Sequence, residues 1–148
     1  MYKLNNNPKG QDYKNLLDIA FDICDEFILI RRQDMDFHES AIRVIKLLEP
    51  YLIEIKKSSS WPGTLLLEQT ADVFSYKTDN GAKNILLDAA QSLYSWVQPG
   101  LPEDLCFYKN QIPWMSNTAH EKQCIFENLS NDDLLRIKEI SGLQIVTP

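Results

Sequence analysis

No apolar stretch in the 148 residues runs longer than Phe27-Ile28-Leu29-Ile30, against the ~20 residues needed to span a bilayer. The first ten residues, Met1 to Gly10, are polar and turn-forming and do not read as a secretory signal. Cysteine is scarce and odd in number. Cys24, Cys106 and Cys124 are too widely spaced for a disulfide framework, and buried, reduced thiols in a cytoplasm are the simplest expectation. Glycine totals 5 residues, and none belongs to a phosphate-cradling loop or to the Gly-x-Ser-x-Gly elbow of a hydrolase. Two histidines with three scattered cysteines make a poor ligand set, and the zinc-deaminase pattern is missing. No metal and no cofactor is expected. Positive charge is in deficit as well: 15 Lys and Arg stand against 21 Asp and Glu, for a net charge of −6. That balance excludes the basic stripe of a nucleic-acid binder and suits a protein that meets a basic partner.

What is present is an ordinary globular composition, 44% hydrophobic and 24% charged, of a length that makes one domain. No linker, repeat or low-complexity tract divides it. We read residues 1–10 as a flexible tail and 11–148 as a single α+β domain. Gln11 to Cys24 is helical: Leu16, Leu17, Ala20, Phe21 and Ile23 recur at three- and four-residue steps. Phe27 to Arg31 reads as a buried strand. Asp36-Phe37-His38-Glu39 has the form of a capping box that starts a second helix, which Pro50 stops. Tyr51 to Lys56 and Asp72 to Lys77 alternate as strands, with a Trp61-Pro62-Gly63-Thr64 turn between them. A third helix is expected from Ala82 to Val97. Leu105 to Tyr108, Trp114 to Ser116 and Lys122 to Glu127 follow as a hairpin or three-stranded meander. Ser130 caps a short last helix, Gly142 is a plausible residue after its end, and Leu143 to Val146 adds a terminal strand. The expected architecture is a mixed or largely antiparallel sheet covered by about four helices.

Four groups of residues are candidates for function. Asp18, Asp22 and Asp25 recur at i, i+4 and i+7 on one helix face, with Glu26 beside them. Like charges at that spacing do not help a helix; solvation explains most such rows, and docking to a basic surface is the functional alternative. Glu103 and Asp104, in the Pro-Gly-Leu-Pro-Glu-Asp turn, are either a presented carboxylate pair or a helix stop followed by a strand. His120-Glu121 has the residue types of an acid/base pair, but neighbours on a strand point to opposite faces, so a structural or solvent-facing role is favoured. Trp96 and Trp114 sit in core patterns. Trp61, in a Pro-Gly turn, is the tryptophan expected to be partly exposed and able to anchor a partner.

Across Leu93-Tyr94-Ser95-Trp96, Pro102-Glu103-Asp104-Leu105-Cys106-Phe107-Tyr108, Pro113-Trp114 and Ala119-His120-Glu121, the chain resembles small acidic bacterial proteins, among them uncharacterised families and immunity proteins of polymorphic toxin systems. The resemblance covers roughly Trp61 to Glu127 and brings no catalytic residues with it. It implies a cytoplasmic inhibitor, made beside a toxin, that blocks the toxin's active site by tight binding; we further expect a monomer or weak homodimer that meets a basic protein partner, and neither nucleic acid nor a membrane. Two other readings stand beside it. One is a small hydrolase-like enzyme using His120 with nearby carboxylates, which requires those side chains to converge. The other is a structural domain that forms homo-oligomers.

Overall fold

Four successive apolar side chains can all be buried on one strand only if both faces of that strand are covered, because neighbours point in opposite directions. Phe27 to Ile30 meets that condition. In the computed structural model, which describes residues 1–147, Phe27 and Leu29 enter one hydrophobic cluster and Ile28 and Ile30 another.

The elements follow in the order β1 (Tyr2–Leu4), α1 (Gln11–Ile23), β2 (Glu26–Arg32), α2 (Glu39–Leu48), β3 (Leu52–Ser58), β4 (Ser60–Trp61), β5 (Thr64–Leu65), β6 (Ala71–Lys77), α3 (Asn80–Ala89), β7 (Glu103–Lys109), β8 (Ile112–Thr118), β9 (Gln123–Phe126), α4 (Asn131–Lys138) and β10 (Ile145–Val146). Eight strands form one sheet in the order β10-β1-β9-β8-β7-β2-β6-β3, and β4 with β5 makes a separate hairpin. Every neighbouring pair is antiparallel. The fold is α+β, and β7, β8 and β9 form the expected meander.

The apolar stripes of the helices share one core with one face of the sheet. Leu16, Leu17 and Ala20 of α1, Val44 and Leu48 of α2, Ala82 and Leu86 of α3 and Ile137 of α4 meet Phe27, Phe74, Tyr76, Phe107, Trp114 and Phe126. The opposite face is covered only in part. There the β4–β5 hairpin lays Trp61 over Ile28, Ile30, Ala71 and Cys106. Pro62 and Gly63 make its turn, Gly63 at φ 85°, and a Cβ on Gly63 would collide with Thr118 Oγ1. Among the described residues no helix is long and apolar enough to cross a membrane.

Several local expectations give way to tertiary contacts. Residues 1–10 are not a loose tail: Tyr2–Leu4 pairs with β9 and β10. Gly10 and Leu93 donate their amides to Gln91 and Pro8 carbonyls. That same pairing ends the third helix at Ala89 instead of Val97, since the chain after it is extended to meet the N-terminal segment. The second helix starts at Glu39, with His38 rather than Asp36 as its N-cap. The Asp36 carbonyl is bound by the Gln98 side chain at 3.2 Å, and the His38 amide by the Pro99 carbonyl. Gly142 does not follow the last helix directly, which ends at Lys138; its carbonyl instead accepts from Asn6 Nδ2.

The last helix keeps its expected cap and ties it to the core. Ser130 Oγ accepts from the Asp133 amide at 3.0 Å, and Asp133 Oδ2 accepts from the Ser130 amide at 3.1 Å and from Trp114 Nε1 at 3.2 Å. Asp133→Ala removes half the capping box and leaves a buried indole N–H without a partner. We expect it to lower unfolding free energy in urea titrations by about 2 kcal/mol. A loss below about 0.5 kcal/mol would mean that the indole finds water instead.

Candidate functional site

The register of β7 decides where the chemistry-bearing side chains go. Ile28 pairs with Cys106 and Ile30 pairs with Glu103, so β7 carries one residue more than β2 over this interval. Such a bulge leaves a residue unpaired and re-aims its neighbours. Here Asp104 takes φ 56°, and the consecutive carboxylates of Glu103 and Asp104 reach the same buried spot instead of opposite faces. The 3-10 turn Ala119–Glu121, which joins β8 to β9, delivers His120 to it.

Asp104 has no exposed surface and is met by three groups from two segments, the β4–β5 hairpin and the 3-10 turn. Trp61 Nε1 donates to its Oδ2 at 2.9 Å, the Ala119 amide donates to its Oδ1 at 2.8 Å, and His120 Nδ1 lies 3.1 Å from Oδ1 and 3.0 Å from Oδ2. Glu103 is as deeply buried. Its Oε1 accepts from the Gln98 amide at 3.3 Å, while Oε2 faces Arg32 Nη1 at 3.6 Å and His120 Nδ1 at 3.7 Å and accepts no hydrogen bond. Burial pushes the Glu103 carboxyl above its ordinary range, and the neighbouring Asp104 charge adds to this against the pull of His120 and Arg32. Burial also raises Asp104, opposed by its bonds from Trp61 and His120. Ligand atoms of Glu103, Asp104 and His120 lie within 4.8 Å of one another, close enough among the described residues to share a metal ion.

Gln98 holds the rim of this cluster. Its side-chain carbonyl accepts from the Arg32 amide at 2.8 Å, and its amide group donates to the carbonyls of Arg32, Met35 and Asp36. The loop after β2 is thereby fixed beside β7. Nothing in the sequence around Gln98 marks this role; Arg32 was visible only as a charge at the end of a strand.

A second feature lies on the sheet face that the helices leave open. A groove of about 960 Å³ is floored by Ile28, Val73, Ser75 and Tyr108, and Asp25, Glu26 and Glu54 face it with Lys56. One wall is Ser60 and Trp61, the other the Asn110–Gln111 turn. Trp61 therefore belongs to both features: its ring lines the groove and its N–H binds Asp104.

The other candidates fall elsewhere. Asp18 is paired with Lys14 at 2.9 Å and with Lys83 at 3.1 Å. Burial would raise its carboxyl, but the hydrogen bonds from Lys14 and Lys83 hold it below its ordinary value. Asp22 is paired with Arg136 at 2.7 Å. Of the acidic row only Asp25, with Glu26, reaches the groove. Glu121 is exposed and does not join the buried cluster, and a 3-10 turn, not a strand, carries it and His120. Glu103 and Asp104 are not a presented pair, since the bulge turns them inward. Trp61 is buried, 6% exposed, where partial exposure was expected, and its indole N–H is bound to a buried carboxylate. Cys24, Cys106 and Cys124 are buried free thiols, and burial raises all three.

No family model, no curated protein and no solved structure matches the chain.

A carboxyl raised in the folded state binds its proton more tightly there than in the unfolded chain. Stability then falls as pH rises from the ordinary glutamate range through the raised folded value. With a chelator present, so that only protons compete for the oxygens, wild-type stability should decline relative to Glu103→Gln over that interval. Urea midpoints between about pH 4 and 8 give the comparison; a difference independent of pH would place the Glu103 carboxyl in its ordinary range.

Proposed function

We propose that the protein is a non-enzymatic binding protein that docks a basic protein partner in the acidic groove on the open face of its sheet. The observation that carries this reading is the groove itself: a concave floor of mixed polar and apolar side chains with the carboxylates of Asp25, Glu26 and Glu54 around it and Lys56 as the cation facing them. Apolar area supplies affinity on desolvation, while complementary charge speeds encounter and selects the partner. The net charge of −6 acts in the same direction at long range. Asp18 and Asp22 are already neutralised by cations of their own chain, so the docking surface moves from the helix row to the sheet.

The resemblance to immunity proteins gives this reading its biological form. It is that of a cytoplasmic inhibitor made beside a toxin, monomeric or weakly dimeric, that covers a basic active site. Such an inhibitor needs shape and charge but no reaction of its own.

One observation favours the hydrolase-like reading. His120 does converge with Asp104 and Glu103, and a buried carboxylate at Nδ1 is the arrangement that orients an imidazole for proton transfer. The groove, however, is lined by none of these three residues. A substrate would have to reach His120, whose side chain is 22% exposed, from another side.

The partner to test is the product of the neighbouring reading frame. Titration calorimetry should show binding that weakens with added salt and falls about tenfold or more in Glu26→Lys/Glu54→Lys. Asp22→Lys, outside the groove, should leave affinity unchanged. Full affinity in the double variant would exclude the groove, and no binding by the wild type would exclude this partner and with it the immunity reading.

A further inference from the structure

We propose that Glu103, Asp104 and His120 form a binding site for a divalent first-row transition metal of the zinc class. Three independent features of the cluster support it.

The first is spacing. Zinc is bound by imidazole nitrogen and carboxylate oxygen at about 2.0–2.2 Å, and two ligands at that radius stand roughly 3.0 Å apart at octahedral and 3.4 Å apart at tetrahedral angles. His120 Nδ1 is 3.0 Å from Asp104 Oδ2 and 3.7 Å from Glu103 Oε2. Small rotations of the three side chains would bring them onto one ion.

The second is an unmet demand. Glu103 Oε2 is fully buried, accepts no hydrogen bond and points at the same imidazole nitrogen as Asp104. A buried carboxylate oxygen without a hydrogen-bond donor carries a desolvation cost, which the Arg32 and His120 charges offset only in part. The nearest cation is Arg32, at 3.6 Å, and it also pairs with Asp34. One guanidinium shared with a third carboxylate leaves two adjacent buried acids under-neutralised, and a dication between them would correct this.

The third is the support around the ligands. Trp61 Nε1 and the Ala119 amide hold Asp104, and the Gln98 amide holds the far oxygen of Glu103. Hydrogen bonds of this kind orient carboxylate ligands and are the usual companions of a metal site. The partial exposure of His120 leaves solvent a way to a fourth position. The imidazole would bind through Nδ1 as the neutral ring, with its proton on Nε2.

This inference does not depend on the docking reading, and its test does not involve a partner protein. The full chain, freed of metal by chelator and dialysis, is titrated with Zn²⁺ by calorimetry and with Co²⁺ by visible absorption. One equivalent should bind and raise Tm. Glu103→Gln and His120→Asn should each weaken binding by about tenfold or more, with far-ultraviolet circular dichroism reporting whether the variants fold. Should they not fold, the wild type still decides: on adding Zn²⁺ the His120 imidazole ¹⁵N resonances should shift at Nδ1, while those of His38 stay in place. Absence of stoichiometric binding by the wild type, undiminished binding in folded variants, or an unmoved His120 resonance would each overturn the site.

Discussion

A carboxylate taken out of water must be met by donors, and Asp104 is met from the hairpin, from the turn after β8 and by an imidazole. Much of the molecule's second face is arranged around that requirement. The Trp61 bond holds the β4–β5 hairpin down on Ile28, Ile30 and Cys106. The Ala119 bond fixes the turn that presents His120. The bulge in β7 turns Asp104 inward in the first place, at the cost of a positive φ at a non-glycine residue.

The helices and the hairpin divide the covering of the sheet unequally. All four helices pack on one face, and the hairpin shelters only part of the other. The uncovered remainder is the groove, whose floor continues the same apolar rows: Ile28 on β2, Val73 on β6 and Tyr108 on β7. Its carboxylates stand at the ends and edge of those strands, where solvent already reaches them. The groove is thus a by-product of incomplete burial, edged by acidic side chains. Trp61 gives it one wall, anchored because swinging away would leave the buried Asp104 carboxylate short of a donor.

The elements with strong periodicity were legible in the sequence. The apolar stripe of α1, the four-residue run of β2, the alternation of β3 and β6 and the Ser130 cap are each patterns within a few residues of chain, so each could be read locally even though the strands pair with distant partners. Element ends were less legible where a distant segment competes for the backbone. Asp36 gave up the cap to His38, its carbonyl held by Gln98, and beyond Ala89 the α-helix gives way to pairing with the N-terminal segment and a 3-10 turn at Leu93–Ser95. Trp61 looked exposed because its turn chemistry was visible and its acceptor, 43 residues on, was not.

The sequence by itself determined the class of fold, the acidic charge and the short inventory of reactive side chains, because composition and periodicity are properties of the chain alone. Only the tertiary structure decided where each acid sits and what it meets. It paired Asp18 and Asp22 with lysine and arginine, left Asp25 and Glu26 facing an open groove, and buried Glu103 and Asp104 against His120. The reason is one extra residue in one strand: strict alternation would have sent those two carboxylates to opposite faces, and a single bulge brings them together.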